Sequence, residues 1–261
     1  MPRAISIWSL TMLLIIVAAG GSPLFPAAHA EESANQSSPS SSLKWKSSKI
    51  SERRKTYSVD IDIPKFEETD PDVAAVNSEI RKIALKAMNE TIKDFHQFRT
   101  HSKSPDDNSF NCTTEVKLAQ PNLISVTFSL GEESIDLPHG SHWNQTLNYQ
   151  LHPLKKLTLD SIFLPKSGYL TKLAELSRAD LTKQLQGDGF NKEKMIEGTN
   201  PKTPSNFKNF ALTKQGLYFD FNQDQVANYE AGDQEVTIPW SKLKTMLSPD
   251  TPVYKLSQQG K

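Results

Sequence analysis

Two histidines and three carboxylates fall within residues 132–142, and these side chains are the ones best suited to chemistry. Asp136, His139 and His142 offer a carboxylate and two imidazoles, a zinc ligand set that would leave a position open for water. The His-x-x-His spacing lies in a predicted loop and differs from the His-x-x-x-His spacing of two ligands on one helix face. Three interpretations stay open: a metal-dependent hydrolase site, a structural loop, or a contact with a partner.

Acidic and aromatic residues flank this loop. Glu132 and Glu133 could form an acid–base pair for glycoside hydrolysis, which requires carboxylates about 5–9.5 Å apart across a sugar cleft. They could equally form a solvated acidic rim, which would also orient a basic partner. Trp143 could anchor an interface or stack on a sugar. We therefore predict a partner-binding surface without a resident cofactor, formed by Glu132, Glu133, Asp136, His139, His142 and Trp143.

The composition limits the classes of function. Lys plus Arg and Asp plus Glu both number 30, so the chain lacks the basic excess typical of nucleic-acid-binding proteins. No Gly-x-Ser-x-Gly elbow, phosphate-cradling glycine loop or recognisable Cys–His pair occurs, which favours a binding protein over an enzyme and leaves the enzyme question open. Cys112 is the only cysteine, so no internal disulfide can form. That thiol is expected either to be buried or to pair between chains.

The first thirty residues have the pattern of an export signal. Arg3 precedes an apolar run at residues 5–19, and Ala28-His29-Ala30 is typical of a cleavage site before Glu31. The run is shorter than the ~20 residues that span a bilayer. We predict a bacterial periplasmic or secreted protein with no stable membrane span after cleavage. An uncleaved anchor is the alternative.

The elements that must position the candidate residues follow from periodicity. Residues 31–55 begin Ser-rich and predict a flexible linker, with order beginning near Tyr57. Apolar residues alternate at 57–63, which predicts a strand, and recur at three- and four-residue steps over 71–98, which predicts a long helix. Further strands are predicted at 114–118, 123–130, 145–151, 210–213, 217–221 and 236–240, with a second helix near 169–181. This order predicts an α+β fold in which antiparallel sheets pack against the two helices.

The series of motifs in the second half resembles a known family. LNYQL at 147–151 and KLTLDSIF at 156–163 precede the second helix, and NFALT at 209–213, GLYFDF at 216–221 and VTIPW at 236–240 follow it. This series resembles the extracellular domain of the anti-sigma-V factor RsiV, which is also an accessory module of exported peptidoglycan deacetylases. The resemblance implies an N-terminal part at 56–135, a C-terminal part at 136–250 and a tail at 251–261.

The resemblance also implies a function. In RsiV this domain is a receptor for lysozyme, so lysozyme or peptidoglycan fragments are the partners that the resemblance suggests. The family has a Gly-Gly-Ala-His loop, to which Gly140 and His142 correspond, whereas His139 and Ser141 depart from it. Few residues precede the apolar run, so we expect no cytoplasmic sigma-binding part. The sequence thus predicts a non-catalytic envelope binding protein, with a hydrolase that uses Asp136, His139 and His142 as the alternative.

Overall fold

The computed structural model describes residues 42–98, 101–185 and 190–259. The predicted signal segment at 1–30 and the first part of the predicted linker, residues 31–41, lie outside these ranges. Within them, no helix is both long enough and apolar enough to cross a membrane.

The larger of two sheets has six strands, arranged in chain order from one edge to the other. Neighbouring strands are antiparallel except for the second and third, which are parallel because a long helix connects them. The strands are β1 (Trp45–Arg53), β2 (Ser58–Phe66), β3 (Asn108–Gln120), β4 (Leu123–Ser134), β5 (Ser141–Gln150) and β6 (Lys155–Lys156), and the connecting helix is α1 (Pro71–Phe98).

Helix α1 covers one face of this sheet. Its apolar stripe, with Val73, Val76 and Ile80 fully buried, has the predicted helical spacing. It packs on the side chains of β2, β3 and β4 that alternate toward it, such as Phe110 and Phe128. Burial of this stripe is the main stabilisation of the first core, since each fully buried large apolar side chain contributes roughly 1.5–3 kcal/mol.

The second half of the chain forms a smaller sheet with its own helices. Its strands run in the order β7–β8–β9 and are antiparallel. Phe219 and Phe221 on β8 pack edge-on against Phe207, and Trp240 is almost fully buried nearby. The elements are α2 (Leu159–Ile162), α3 (Tyr169–Gln184), α4 (Lys192–Gly198), β7 (Phe210–Leu212), β8 (Gly216–Phe221), β9 (Gln234–Pro239) and α5 (Pro252–Gln259). The predicted α+β class is therefore confirmed.

The predicted linker is wrong over its second part. Residues 45–53 form strand β1, which pairs with β2 along its whole length, so order begins well before Tyr57. β1 is an edge strand rich in Lys and Ser, and most of its side chains are exposed. Its backbone pairing with β2 holds it, and such pairing leaves little trace in composition.

The predicted tail at 251–261 is also wrong over most of its length. Helix α5 spans Pro252–Gln259, and its Val253 and Leu256 are buried in the second core. Two turns of helix carry too few apolar positions for periodicity to identify them.

The two cores divide later in the chain than the predicted boundary at residues 135 and 136. Strand β5 belongs to the six-stranded sheet, and its Leu147 lies in the first core together with Leu151. Leu157 and Leu159 lie in the second core. The hairpin of β4 and β5 therefore lies inside one structural layer.

A buried polar seam joins the two sheets. Asn148 on β5 accepts a hydrogen bond from the Ser125 hydroxyl at 2.6 Å and donates one to the Phe210 carbonyl at 2.7 Å. The Ser125 oxygen in turn accepts from the backbone N–H of Leu212 at 2.8 Å. Buried polar groups must be paired, so this network fixes how β7 lies against β4 and β5.

Candidate functional site

The predicted partner-binding residues surround the end of the β4–β5 hairpin and divide between its two faces. Glu132 and Trp143 line a cleft of about 490 Å³ beside helix α1, where the Trp143 ring lies 6.4 Å from that of Phe110. His142 points to the opposite face because successive strand residues alternate. The turn between the strands carries Ile135, which is 56% exposed. The six residues therefore form the rim of a hairpin rather than one cluster.

The structure does not bring Asp136, His139 and His142 together. Asp136 pairs with His101, with Nδ1 and Oδ1 2.5 Å apart. His142 pairs with Asp233, with Nε2 and Oδ2 2.9 Å apart. Among the described residues, a group of three His, Cys, Asp or Glu side chains with ligand atoms within 4.8 Å of one another occurs at a different place, at Asp70, Asp72 and His152. Each predicted zinc ligand thus has a separate partner, which removes the geometric basis of the hydrolase alternative.

His139 contacts the side chain of Tyr229, which lies in the segment between β8 and β9. Its ring centroid lies 5.1 Å from that of Tyr229, and its Nδ1 atom lies 3.2 Å from the Tyr229 hydroxyl. Tyr229 is 40% exposed. Tyr229 therefore lies on the surface beside the hairpin.

The group at the start of helix α1 has a structural role. Asp70 Oδ1 accepts hydrogen bonds from the backbone N–H groups of Asp72 and Val73, as a helix cap does. Asp72 Oδ2 accepts from the backbone N–H of His152 at 2.9 Å. The positive end of the helix dipole disfavours a cation at this place. We therefore assign these residues to capping.

An acidic pocket opens behind His142. It has a volume of about 210 Å³ and lies between strands β3, β4 and β5 on one side and β8 and β9 on the other. Its lining includes four carboxylates and several hydroxyls, contributed by residues far apart in the chain. They are Thr113, Thr114, Glu115, Thr127, Phe128, Ser129, Asn144, Tyr218, Asp220, Asp233 and Glu235.

Asp220 is the most perturbed carboxyl of the pocket. Burial, followed by the negative charges of Asp233 and Glu235, raises the pKa of Asp220 to about 6. Lys117 and a hydrogen bond from Asn144 Nδ2 at 2.8 Å act in the opposite direction. The surroundings of Asp220 in the folded protein therefore disfavour its ionised form. Carboxyls with perturbed pKa values concentrate at functional sites.

Tyr218 lines the pocket, and the Lys117 ammonium group packs on its ring. The Lys117 Nζ atom lies 4.0 Å from the centroid of the Tyr218 ring and 2.6 Å from Glu115 Oε2. Burial, with the nearby charge of Asp220, raises the pKa of the Tyr218 hydroxyl, which stays protonated at neutral pH. Lys117 thus neutralises part of the acidic charge and leaves an excess of carboxylates.

Sequence reasoning missed this pocket. Asp220 sits inside the apolar string Leu217–Phe221, and a carboxylate between two buried phenylalanines is the signal that could have drawn attention to it. Strand alternation points Phe219 and Phe221 into the second core and Asp220 away from it. The partners from β3 and β9 could not be read from the sequence.

We predict that Asp220→Asn stabilises the fold at neutral pH. Because the folded-state pKa lies above the ordinary value of 3.8, the wild-type protein gains stability as the pH falls from about 7 through 6 toward 4. The variant lacks this gain, so its advantage at pH 7 should shrink as the pH falls toward 4. Urea unfolding of both proteins at pH 7, 6, 5 and 4 measures the difference, and an equal difference at every pH would contradict the assignment.

Comparisons with known proteins give a family match and a shared fold. Residues 160–241, which include Asp220, Asp233 and Glu235, match the family described as a protein of unknown function, DUF3298. Two solved DUF3298 structures, from Bacteroides fragilis and Pseudomonas aeruginosa, have the same fold, with TM-scores of 0.55 and 0.59 at 17% and 15% identity. The first alignment covers 84% of this chain and 98% of that one, and the second covers 80% and 96%.

Two curated proteins are also similar. The peptidoglycan-N-acetylmuramic acid deacetylase PdaC of Bacillus subtilis is 28% identical over 172 residues, which are 63% of this chain and 35% of PdaC. Esterase Rv3036c of Mycobacterium tuberculosis is 27% identical over 105 residues, which are 40% of this chain and 44% of the esterase. The chain thus spans less than half the length of either relative. The finer resemblance to RsiV stays a prediction.

Proposed function

We propose that this chain is an exported, non-catalytic protein of the cell envelope that binds cell-wall glycan along the β4–β5 hairpin and the adjoining acidic pocket. The observation that carries the proposal is the pocket itself, in which four carboxylates converge with several hydroxyls. Sugars are recognised by polar groups of this kind, which bond their hydroxyls, and by aromatic faces that stack on their rings.

The hairpin and the pocket are physically continuous. His142 on β5 pairs with Asp233 of the pocket wall, and His139 at the hairpin contacts Tyr229. A ligand that stacks on the exposed Tyr229 ring would therefore lie close to residues that border the pocket. This continuity supports an extended ligand such as a glycan chain.

The relatives support a role in the envelope. One of them is by name a peptidoglycan-N-acetylmuramic acid deacetylase, and the predicted export signal at residues 1–30 would deliver this chain to the same compartment. Removal of an acetyl group from an N-acetylated sugar leaves a primary amine, which carries a positive charge when protonated. A wall that contains such sugars would present cationic groups to an acidic pocket.

Lysozyme is the second candidate ligand, on a separate observation. The hairpin rim carries Glu132, Glu133 and Asp136 beside the exposed side chain of Ile135. An acidic rim around an apolar residue suits a basic enzyme that acts on the wall, because complementary charge speeds and orients the encounter. This surface does not require the pocket, so variants can separate the two candidates.

Calorimetric titration with soluble peptidoglycan fragments and with lysozyme tests the proposal. We expect Tyr229→Ala to weaken glycan binding about tenfold, since stacking on an aromatic ring is worth about 1–1.5 kcal/mol. Glu133→Gln should leave glycan affinity unchanged and should weaken lysozyme binding if lysozyme is the partner. Glu193→Gln, an exposed change on α4, is the control for both.

The outcomes separate the alternatives. Saturable glycan binding that depends on Tyr229 supports the proposed function. Lysozyme binding that depends on Glu133, without glycan binding, replaces it with the receptor alternative. Binding of neither ligand by a folded protein overturns both.

A further inference from the structure

We infer, on the basis of the proposed function, that the acidic pocket takes the protonated primary amine of an amino sugar and so selects de-N-acetylated over N-acetylated glycan. Three observations carry it: the excess of carboxylates, the unpartnered hydroxyl that the largely buried Thr127 presents to the pocket, and the size of the pocket.

The carboxylates give the pocket an uncompensated negative charge. Glu115, Asp220, Asp233 and Glu235 line it, and the neighbouring cation, Lys117, is paired with Glu115 at 2.6 Å. An ammonium group has three donors and no acceptor, so it can bond several carboxylate and hydroxyl oxygens at once. Such charge-assisted hydrogen bonds are roughly twice as strong as neutral ones.

Thr127 is a second feature of the pocket, independent of the carboxylates, that suits a hydrogen-bonding ligand. Its side chain lines the pocket, the residue is only 7% exposed, and within the described residues its hydroxyl has no hydrogen-bond partner. Its neighbours on the same face of β4 are partnered: the Ser125 hydroxyl bonds Asn148, and the Ser129 hydroxyl lies 3.3 Å from His142 Nε2. The Thr127 hydroxyl opens on the pocket, where the ammonium group of a ligand can donate a hydrogen bond to it.

The size of the pocket fits a substituent rather than a whole sugar. Its volume of about 210 Å³ is below the ~300–1,000 Å³ of sites that enclose a drug-sized ligand. An ammonium group and the adjacent ring atoms fit such a space. An N-acetyl group is neutral, offers one N–H donor and would press a methyl group against carboxylates, so it should be rejected.

The inference is tested with two oligosaccharides of equal length. A tetramer of β-1,4-linked glucosamine and its fully N-acetylated counterpart are titrated into the purified protein at pH 7 and low salt. We expect the amine form to bind at least about tenfold more tightly. Asp220→Asn should remove about tenfold of that affinity, which corresponds to one charge-assisted hydrogen bond.

Two further variants keep the result interpretable. Thr127→Val removes the hydroxyl while it preserves the shape of the side chain, and we expect it to weaken the amine form about fivefold without changing the N-acetylated form. Glu193→Gln removes an equivalent exposed carboxylate outside the pocket and should change neither. Thermal unfolding of each variant identifies any that fail to fold.

Binding of the amine form should weaken as the pH falls through about 6. Asp220 then gains a proton and loses its negative charge. Asp233 and Glu235 favour this protonation, whereas Lys117 and the hydrogen bond from Asn144 oppose it. The ligand's amine also gains protons over this range, so the comparison is made with Asp220→Asn; the same pH dependence in the wild-type protein and in this variant between pH 7 and 5 would contradict the role of Asp220.

The outcomes distinguish this inference from the proposed function. Equal affinity for the two tetramers, lost in Tyr229→Ala, would overturn amine selection and leave glycan binding intact. A preference for the amine form that falls by the same factor in Asp220→Asn and in Glu193→Gln would indicate attraction by overall charge and would overturn the site. Failure of both tetramers and of peptidoglycan fragments to bind would overturn both proposals.

Discussion

Replacement of Asn148 by alanine is expected to lower the free energy of unfolding by about 3 kcal/mol. Asn148 is 3% exposed, and its amide links β4, β5 and β7 through bonds to the Ser125 hydroxyl and the Phe210 carbonyl. Alanine leaves both of these buried groups without that partner, and each such loss costs about 1–3 kcal/mol. Urea unfolding followed by circular dichroism measures the change.

A matched control lies on the same strand. Gln145→Ala changes a half-buried amide that lines the outer cleft beside α1, and it should cost less than about 1 kcal/mol. If Asn148→Ala were equally mild, the seam between the sheets would be solvated, and the pocket walls would not be held rigidly by it.

Leu256→Ala in helix α5 is expected to lower the free energy of unfolding by about 2–5 kcal/mol. Leu256 is 1% exposed and packs in the second core together with Val253, so truncation leaves a cavity as well as a smaller buried surface. Chemical unfolding of the variant and of the wild-type protein measures the loss.

Lys255→Ala is the control for α5. It changes the neighbouring exposed position, and we expect a change within about 0.5 kcal/mol. Equal effects of the two substitutions would mean that α5 contributes little to the core and that the segment behaves as the predicted tail.

The packing that holds the two sheets together also holds the carboxylates of the pocket close to one another. The seam residues hold β8 against the larger sheet, which keeps Asp220 beside Asp233 and Glu235 even though their charges repel. A protein selected for stability alone would gain from asparagine at position 220. A carboxyl that lowers stability at neutral pH is consistent with the proposed binding role of the pocket.

The sequence determined the elements whose signals are local. The three- and four-residue apolar spacing predicted a helix over 71–98, and α1 spans Pro71–Phe98. Alternation predicted a strand at 57–63, and β2 spans Ser58–Phe66. These elements were predictable because amphipathic periodicity records which face of one segment is buried. The α+β class followed from their order.

Only the tertiary structure decided the edge strand β1, the docking of α5 and the site. The pocket joins Glu115 on β3 to Glu235 on β9, about half the chain apart. The predicted zinc ligands separate because Asp136, His139 and His142 each contact a different residue that is distant in the chain. No local pattern records which strands come to lie against each other across two sheets. That arrangement follows from the shared burial of both cores and from the pairing of polar groups between them, so the charges that meet in the pocket are a property of the folded chain alone.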